Sequence, residues 1–305
     1  MDPVLVIKNA DAGTADEETL DAALAVLREH ASVEVAATSS PDELDGVLHR
    51  AGSRRLVVAG GDGSLHAVVT ALHRRHELDQ HTLALLPLGT GNDFARGTGV
   101  PLEPEAAATL AVTGTPRGVD LLVDEVGGVV VNNVHAGAGA RASRAGARWK
   151  ERLGGIGVGS LNLGRLGYPI GTLTTAFSPA GLRLRVEVDG EVVNDVDQLV
   201  LMVLVGNSSH IGGGTEVTPD ATPVDGKADV MVSRATTAWS KVGFLTDLVR
   251  AAHLGRDDVL RVRGREVRIT GEDFWCSADG EIYGPERSRT WHLEPSAFQM
   301  VLPPL

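Results

Sequence analysis

The sequence predicts a two-domain α/β chain: an N-terminal Rossmann-like parallel-sheet domain followed by a mostly antiparallel β-sandwich. Three observations predict it. Over the first third, short apolar runs alternate with stretches of helical period, the signature of βαβ units and a parallel sheet. After about residue 118, strand-like runs dominate, parted by turn dipeptides such as Asp189-Gly190, Asp225-Gly226 and Asp279-Gly280. Glycine supplies 37 of the 305 residues, about 12% against a usual share near 7%, with no low-complexity linker to absorb it. It is therefore spent on turns and close backbone approaches.

The elements follow in order. Residues 4–7 read as a buried strand, and 16–30 as a helix with Leu20, Leu24 and Leu27 on one face. Residues 33–37 read as strand. Residues 41–50 read as helix, with Ser40 as N-cap and Pro41 at the first helical position. Strand 55–59 leads into helix 64–75, strand 82–86 into a glycine-rich loop, and 104–112 closes this part as helix. Beyond it, strands are expected at 118–123, 128–133, 182–188, 199–205, 228–232, 259–262 and 267–270. Helices are expected at 140–153, which is basic, and at 239–254, which is amphipathic; 154–168, rich in Gly and Leu, reads as a flap. The expected domains are 1–117, joined by a returning segment 288–305, and 118–287.

Composition narrows the function. Hydrophobic residues are 43% and charged residues 22%, which suits a packed globular chain and not a disordered one. A net charge of −12 argues against nucleic acid, which needs a basic stripe, and against permanent electrostatic docking on anionic membrane. The single cysteine, Cys276, excludes an internal disulfide framework and a cysteine zinc cluster, so a reducing compartment is expected. The opening residues carry no basic segment of a signal peptide, and no apolar run approaches the roughly 20 residues needed to span a bilayer.

The strongest chemical signal is Gly60-Gly61-Asp62-Gly63-Ser64, set between a strand and a helix. Consecutive glycines let backbone N–H groups approach an anion, and the helix N-terminus adds its dipole. Asp62 in such a nest makes sense if it holds Mg²⁺, because a bare carboxylate repels phosphate. The bland alternative is a tight capped turn. A second glycine-rich loop, residues 86–96, follows the neighbouring strand tip; its Thr90, Asn92 and glycine amides suit phosphate or ribose, and Asp93 suits metal or water. Parallel sheets bind ligands at such carboxyl ends. Late in the chain, Asp279 and Glu281 flank Gly280; one can accept a proton from a hydroxyl nucleophile, although Asp-Gly alone is a common hairpin turn. The acidic loop 218–229 suits a hard cation or a solvated turn equally.

Together these motifs resemble the diacylglycerol kinase catalytic-domain family of lipid kinases, in its soluble bacterial branch related to sphingosine kinases. The resemblance starts at Asn9-Ala10-Asp11-Ala12-Gly13 and runs through both glycine loops, Val119-Asp120-Leu121, Gly206-Asn207, Gly212-Gly213-Gly214, residues 219–230 and Asp279-Gly280-Glu281, in matching order. It implies phosphorylation of a lipid hydroxyl by ATP. By resemblance, Asn9, Thr38, Gly60, Gly61, Asp62, Gly63, Ser64, Leu65, Thr90 and Asn92 fall where ATP is held, with Asp62 on the catalytic Mg²⁺. Asp279 and Glu281 would supply the general base. Thr222, Asp225 and Lys227 match a second, structural Mg²⁺ site, linked to the active centre by Asp93, Asp120 and Asp220. The implied partner is diacylglycerol or another long-chain alcohol, met by transient membrane contact from the cytoplasmic side; a homodimer is compatible with this. The chain departs from the family pattern in Ser64 for Thr, in His66-Ala67 for Asn-Glu, and in Ala10 for Pro.

Two other readings share features with this one: a nicotinamide-nucleotide kinase, which has a similar glycine loop, and an ATP-binding regulator without turnover, for which His66-Ala67 speaks. No Walker A loop is present. Residues 137–142 fit a dinucleotide pattern but lack its downstream acid. His76 and His81 lie on different helical faces and cannot share a metal. Arg141, Arg144, Arg148, Lys150 and Arg152 form a basic stretch, read as a solvated face or a lipid-headgroup contact.

Overall fold

A computed structural model describes residues 3–10, 14–137 and 181–304. The expected basic helix 140–153 and the flap 154–168 lie outside the described residues.

Apolar strands of period 2 between amphipathic helices give a three-layer N-terminal half. Strands β1 (Val4–Asn9), β2 (Val33–Thr38), β3 (Arg55–Gly60) and β4 (Thr82–Pro87) pair in parallel in the order β2-β1-β3-β4. Leu20, Leu24 and Leu27 of α1 (Thr14–His30) pack on one sheet face, against Val4, Val6, Val57 and Leu86. Leu44 and Leu48 of α2 (Pro41–His49), with Leu65, Val69 and Leu72 of α3 (Asp62–Arg74), cover the other face against Leu5, Ile7, Leu56 and Leu85. Alternate residues of one strand thus feed opposite layers. Helix α4 (Asp93–Thr98) follows β4, and α5 (Pro104–Thr113) returns to the α1 side. Ser40 caps α2 by accepting the Glu43 N–H at 3.3 Å, as the Ser-Pro pair predicts.

The C-terminal half is antiparallel. It comprises β5 (Thr115–Asp124), β6 (Val129–Val130), β7 (Asn133–Gly137), β8 (Leu182–Val188), β9 (Glu191–Asn194), β10 (Leu199–Val200), β11 (Met202–Gly206) and the small hairpin β12 (His210–Ile211) and β13 (Thr215–Glu216). It continues with β14 (Ala228–Ser233), helix α6 (Ala238–Val249), β15 (Val259–Gly264), β16 (Glu266–Ala278) and β17 (Glu281–Leu302). A core of Leu184, Val186, Val203, Val230, Ile269, Phe274 and Trp291 fills the sandwich.

One strand joins the halves. β17 pairs antiparallel with β16 from Glu281 to His292, then parallel with β4 through Gln299↔Thr82 and Met300↔Leu83. β5 runs antiparallel to it, from Thr115↔Leu302 to Asp124↔Trp291. The returning segment is therefore part of a 22-residue strand that is continuous with the sandwich.

Three expected elements are divided, each for a visible reason. The stretch 128–133 breaks between β6 and β7 because the Val131 and Asn132 N–H groups point at the Asp279 carboxylate instead of a neighbouring strand. The stretch 199–205 splits because β10 pairs with β8 while β11 pairs with β7 and β14. The helix expected over 239–254 stops at Val249, where Ala251 takes a positive φ of 54°.

Candidate active site

The carboxyl tips of the four parallel strands form one rim. Asn9 lies in register with Thr38, Lys8 with Ala59, and Gly60 with Pro87. Both glycine loops rise from this rim and touch through bare backbone. A Cβ on Gly89 would lie 2.5 Å from the Gly61 Cα, so that contact requires glycine. Helix α3 begins at Asp62 itself, two residues earlier than its periodicity suggests, with Gly61 as an N-cap that brings no side-chain hydrogen bond. The Ser64 N–H bonds the Gly61 carbonyl at 3.0 Å, and the Asp62 and Gly63 amides ahead of it are left for another acceptor, which the dipole favours being anionic. Thr90 is exposed at the tip of the second loop.

Asn92 adopts a left-handed φ of 54° and is buried. Its side-chain Oδ1 accepts the Gly89 N–H at 3.1 Å, and its Nδ2 donates to the Gly89 carbonyl at 2.6 Å and the Pro87 carbonyl at 3.2 Å. The amide is turned into its own loop, which it shapes.

Four polar links draw distant segments onto the rim. The Asp62 carboxylate accepts the Asp93 and Phe94 N–H groups, each at 2.9 Å, and so caps α4 from the neighbouring loop. The Asp93 carboxylate accepts the Gly213 N–H at 3.0 Å and the Gly214 N–H at 2.7 Å, which fastens the β12–β13 hairpin. Burial raises the Asp93 pKa above the usual carboxylate range, with Asp62 pushing the same way and the two amides opposing. Asn132 donates its side-chain amide to Asp62 Oδ1 at 3.3 Å and its backbone N–H to Asp279 Oδ1 at 2.9 Å. Asp279 also accepts the Val131 N–H at 2.6 Å and the Asn133 N–H at 3.1 Å.

The Asp279-Gly280 turn holds both residues at positive φ, 45° and 92°, as a two-residue hairpin demands. Burial pushes the Asp279 carboxyl up, against the pull of His66 and of the three amides. His66, which replaces the family's Asn, has Nε2 within 3.0 Å of the Val129 carbonyl, so this departure faces the same corner. Glu281 is exposed, two residues on in β17.

The structure thus brings Asp62, Asp93 and Asp279 to one place, with Asn9, Thr38, Gly60, Gly61, Gly63, Ser64, Thr90 and Asn92 on or beside the same rim, whereas the Leu65 side chain turns inward and is fully buried in the core. Thr222, Asp225 and Lys227 lie elsewhere, in the loop before β14. There, Asp120 accepts the Gly226 N–H at 2.7 Å and the Ser296 N–H at 2.8 Å and ties the loop to β5 and β17. Asp225 pairs with Arg263, which also reaches Asp229 at 3.1 Å, and Asp220 pairs with Arg261. The one side-chain carboxylate of that trio already has a guanidinium partner. Among the described residues, no group of three or more His, Cys, Asp or Glu side chains is arranged to hold a metal.

Sequence reasoning missed Asn132 and the part played by the Gly213 and Gly214 amides. Asn132 is 4% exposed and is itself held by a Ser208 hydroxyl bond at 2.9 Å and by the Asn207 and Ser208 N–H groups on its carbonyl. A pair of asparagines ending a valine run was the available signal.

Comparison with known proteins agrees with this arrangement. Residues 3–123 match the model of the diacylglycerol kinase catalytic domain, and residues 132–302 match the YegS C-terminal NAD kinase beta sandwich-like domain. A "probable lipid kinase YegS-like" protein of Pseudomonas savastanoi pv. phaseolicola is 34% identical over 83% of this chain and 77% of its own length. A diacylglycerol kinase of Bacillus subtilis is 27% identical over 75% of this chain and 71% of its own. In fold, the chain is similar to a diacylglycerol kinase from Bacillus anthracis, with a TM-score of 0.75 at 23% identity over 99% of this chain and 98% of the other. The chain belongs to the diacylglycerol kinase catalytic-domain family, in its YegS-like group of lipid kinases.

Proposed function

We propose that this lipid kinase transfers the γ-phosphate of ATP to the free hydroxyl of diacylglycerol, giving phosphatidic acid and ADP. The observation that carries the reading is the Asp62–Asn132–Asp279 chain, which holds an amide-lined loop and an acidic turn against one rim. The uncapped Asp62 and Gly63 amides at the start of α3, with the Ser64 hydroxyl and Thr90, bind the phosphates. Asn9 and Thr38 bound the nucleotide on the side away from the sandwich. The acceptor oxygen attacks the γ-phosphorus, the bond to the β–γ bridging oxygen breaks, and the hydroxyl proton leaves to a carboxylate.

Geometry favours Glu281 as that base. The Asp279 carboxylate accepts three backbone N–H groups that fix it in the turn, whereas Glu281 stands exposed beside the turn. Asp279 is then a positioning residue: it locks the turn on which Glu281 is mounted.

The loop junction leaves room for Mg²⁺ at one atom: Asp62 Oδ1 accepts two N–H groups but Oδ2 only one, and a carboxylate amid phosphate-binding amides is otherwise repelled by the ligand. Asp62 would hold the ion, and when bound it would neutralise phosphate charge. The second set does not fit a free cation, because Arg263 already neutralises Asp225.

Incubation of the chain with ATP and, in separate arms, diacylglycerol, a sphingoid base or NAD tests the reading. Phosphatidic acid formed faster than either other product is the expected result. Exclusive phosphorylation of NAD, or none of any acceptor, overturns it.

A further inference from the structure

We propose that the outer face of helix α6 docks on a phospholipid bilayer, with Trp239, Val242 and Val249 entering the interfacial layer. The inference rests on the lipid-kinase reading above and extends it to how the enzyme reaches a substrate that lies in a membrane.

Helix α6 is apolar on two sides. Phe244 and Leu248 face inward onto Leu204, Val217 and Met231. Outward, Trp239 is 86% exposed, Val249 80% and Val242 49%. At about 100° per residue, Leu245, Val249, Val242, Thr246, Trp239 and Arg250 fall in one arc of roughly 140°. A surface helix normally turns charge to water on that side. A tryptophan so exposed is costly in water and favourable at the headgroup level, where its apolar body and N–H both find partners.

Charge points to the same occupant. The chain carries −12 overall, yet this arc holds no carboxylate and one arginine, Arg250. The helix's one acid, Asp247, lies off the arc and is paired with Arg256 at 2.8 Å. Lys241 is 3% exposed. The arc is thus a local patch that an anionic leaflet does not repel, within a surface that it does. An apolar arc on one side of a twelve-residue helix supports shallow insertion at the interface.

The helix is formed beforehand and is linked to the site through the β12–β13 hairpin. Its N-terminus is a reciprocal capping box, with Ser240 N–H on Thr237 Oγ1 at 3.2 Å and Thr237 N–H on Ser240 Oγ at 3.0 Å. Just past its end, His253 Nε2 bonds the Val217 carbonyl at 2.7 Å. Val217 follows the hairpin whose Gly213 and Gly214 amides hold Asp93. Docking through α6 therefore anchors on the lipid surface the part of the chain that carries the hairpin held by Asp93.

The test compares the full chain with its Trp239→Ser, Val242→Ser, Val249→Ser triple variant. Cosedimentation without ATP uses vesicles of phosphatidylcholine containing a minority of phosphatidylglycerol. The triple variant should lose about tenfold or more in vesicle affinity, because the lost insertion is apolar. Its melting temperature and its turnover of a short-chain, monomerically dissolved diacylglycerol should be unchanged. Equal vesicle binding by both proteins, or none by wild type, overturns the proposal. So does a wild-type dimer that the variant converts to monomer, since the face would then serve self-association. Vesicle binding is read without catalysis, so absent phosphorylation with intact binding counts against the kinase reading alone.

Discussion

Asp62 caps the helix that starts at Asp93: one oxygen of its carboxylate takes the Asp93 N–H and the other takes the Phe94 N–H, both at 2.9 Å. The residue expected to hold a metal therefore also sets the position of the second glycine loop. Loss of function at Asp62 has two parts, and the first prediction separates them.

Asp62→Ala should lower phosphorylation on the order of 10³-fold, as removal of a charge-stabilising group does. It should also cost about 1 kcal/mol of stability through the lost cap. Asp62→Asn retains one accepting oxygen and should recover part of the stability but little of the rate. Single-turnover phosphorylation and urea unfolding of the two variants provide the comparison. Equal loss of both quantities in Asp62→Asn would mean that the residue is structural only.

Asn132 ties the two halves of the site. Asn132→Ala removes the amide from Asp62 and strands the Ser208 hydroxyl, while its backbone N–H to Asp279 remains. We expect about 1–3 kcal/mol of destabilisation from the unpaired buried hydroxyl. The turnover number should fall by about ten- to a hundredfold with little change in KM for ATP, since phosphate-binding amides are untouched. Steady-state kinetics over both substrates checks the split.

Asp279→Asn and Glu281→Gln should behave differently. The first exchanges an oxygen that accepts N–H groups for a donor, so melting temperature and activity should fall together. The second should leave melting unchanged and lower turnover by about 10²–10⁴-fold, with loss of the acid limb of the pH–rate profile. Full activity in Glu281→Gln would move the base to another group.

Arg263 stands between Asp225 and the buried Asp229. Burial raises the Asp229 pKa above the usual carboxylate range, and Arg263 is the largest opposing influence. A carboxyl raised in the folded state binds more protons there than in the unfolded chain. Stability therefore falls as pH rises from the unfolded value through the folded one. Arg263→Met lifts the folded value further, so its deficit against wild type should widen from pH 4 toward neutrality. Chelation by EDTA should leave the wild-type melting temperature unchanged. Thermal melts across pH, with and without chelator, decide both points.

Much of the architecture was legible in the sequence because it is local. The spacing of Leu20, Leu24 and Leu27, the Ser40-Pro41 start and the glycine loops depend on neighbours within a few residues, and the structure places each as expected. The Asp279-Gly280 turn was legible for the same reason. The meaning of the turn was not. Asp279 acts on Val131, Asn132 and Asn133, some 146 to 148 positions earlier in the chain, and Asp93 acts on Gly213, 120 positions later.

The sequence alone determined the alternating strands and helices of the first third and the apolar side of each, since periodicity and glycine placement encode these directly. Only the tertiary structure decided which amide meets which carboxylate. Those bonds depend on sheet register between remote strands, and on β17 passing from the sandwich to the edge of β4, for which no local pattern carries a signal.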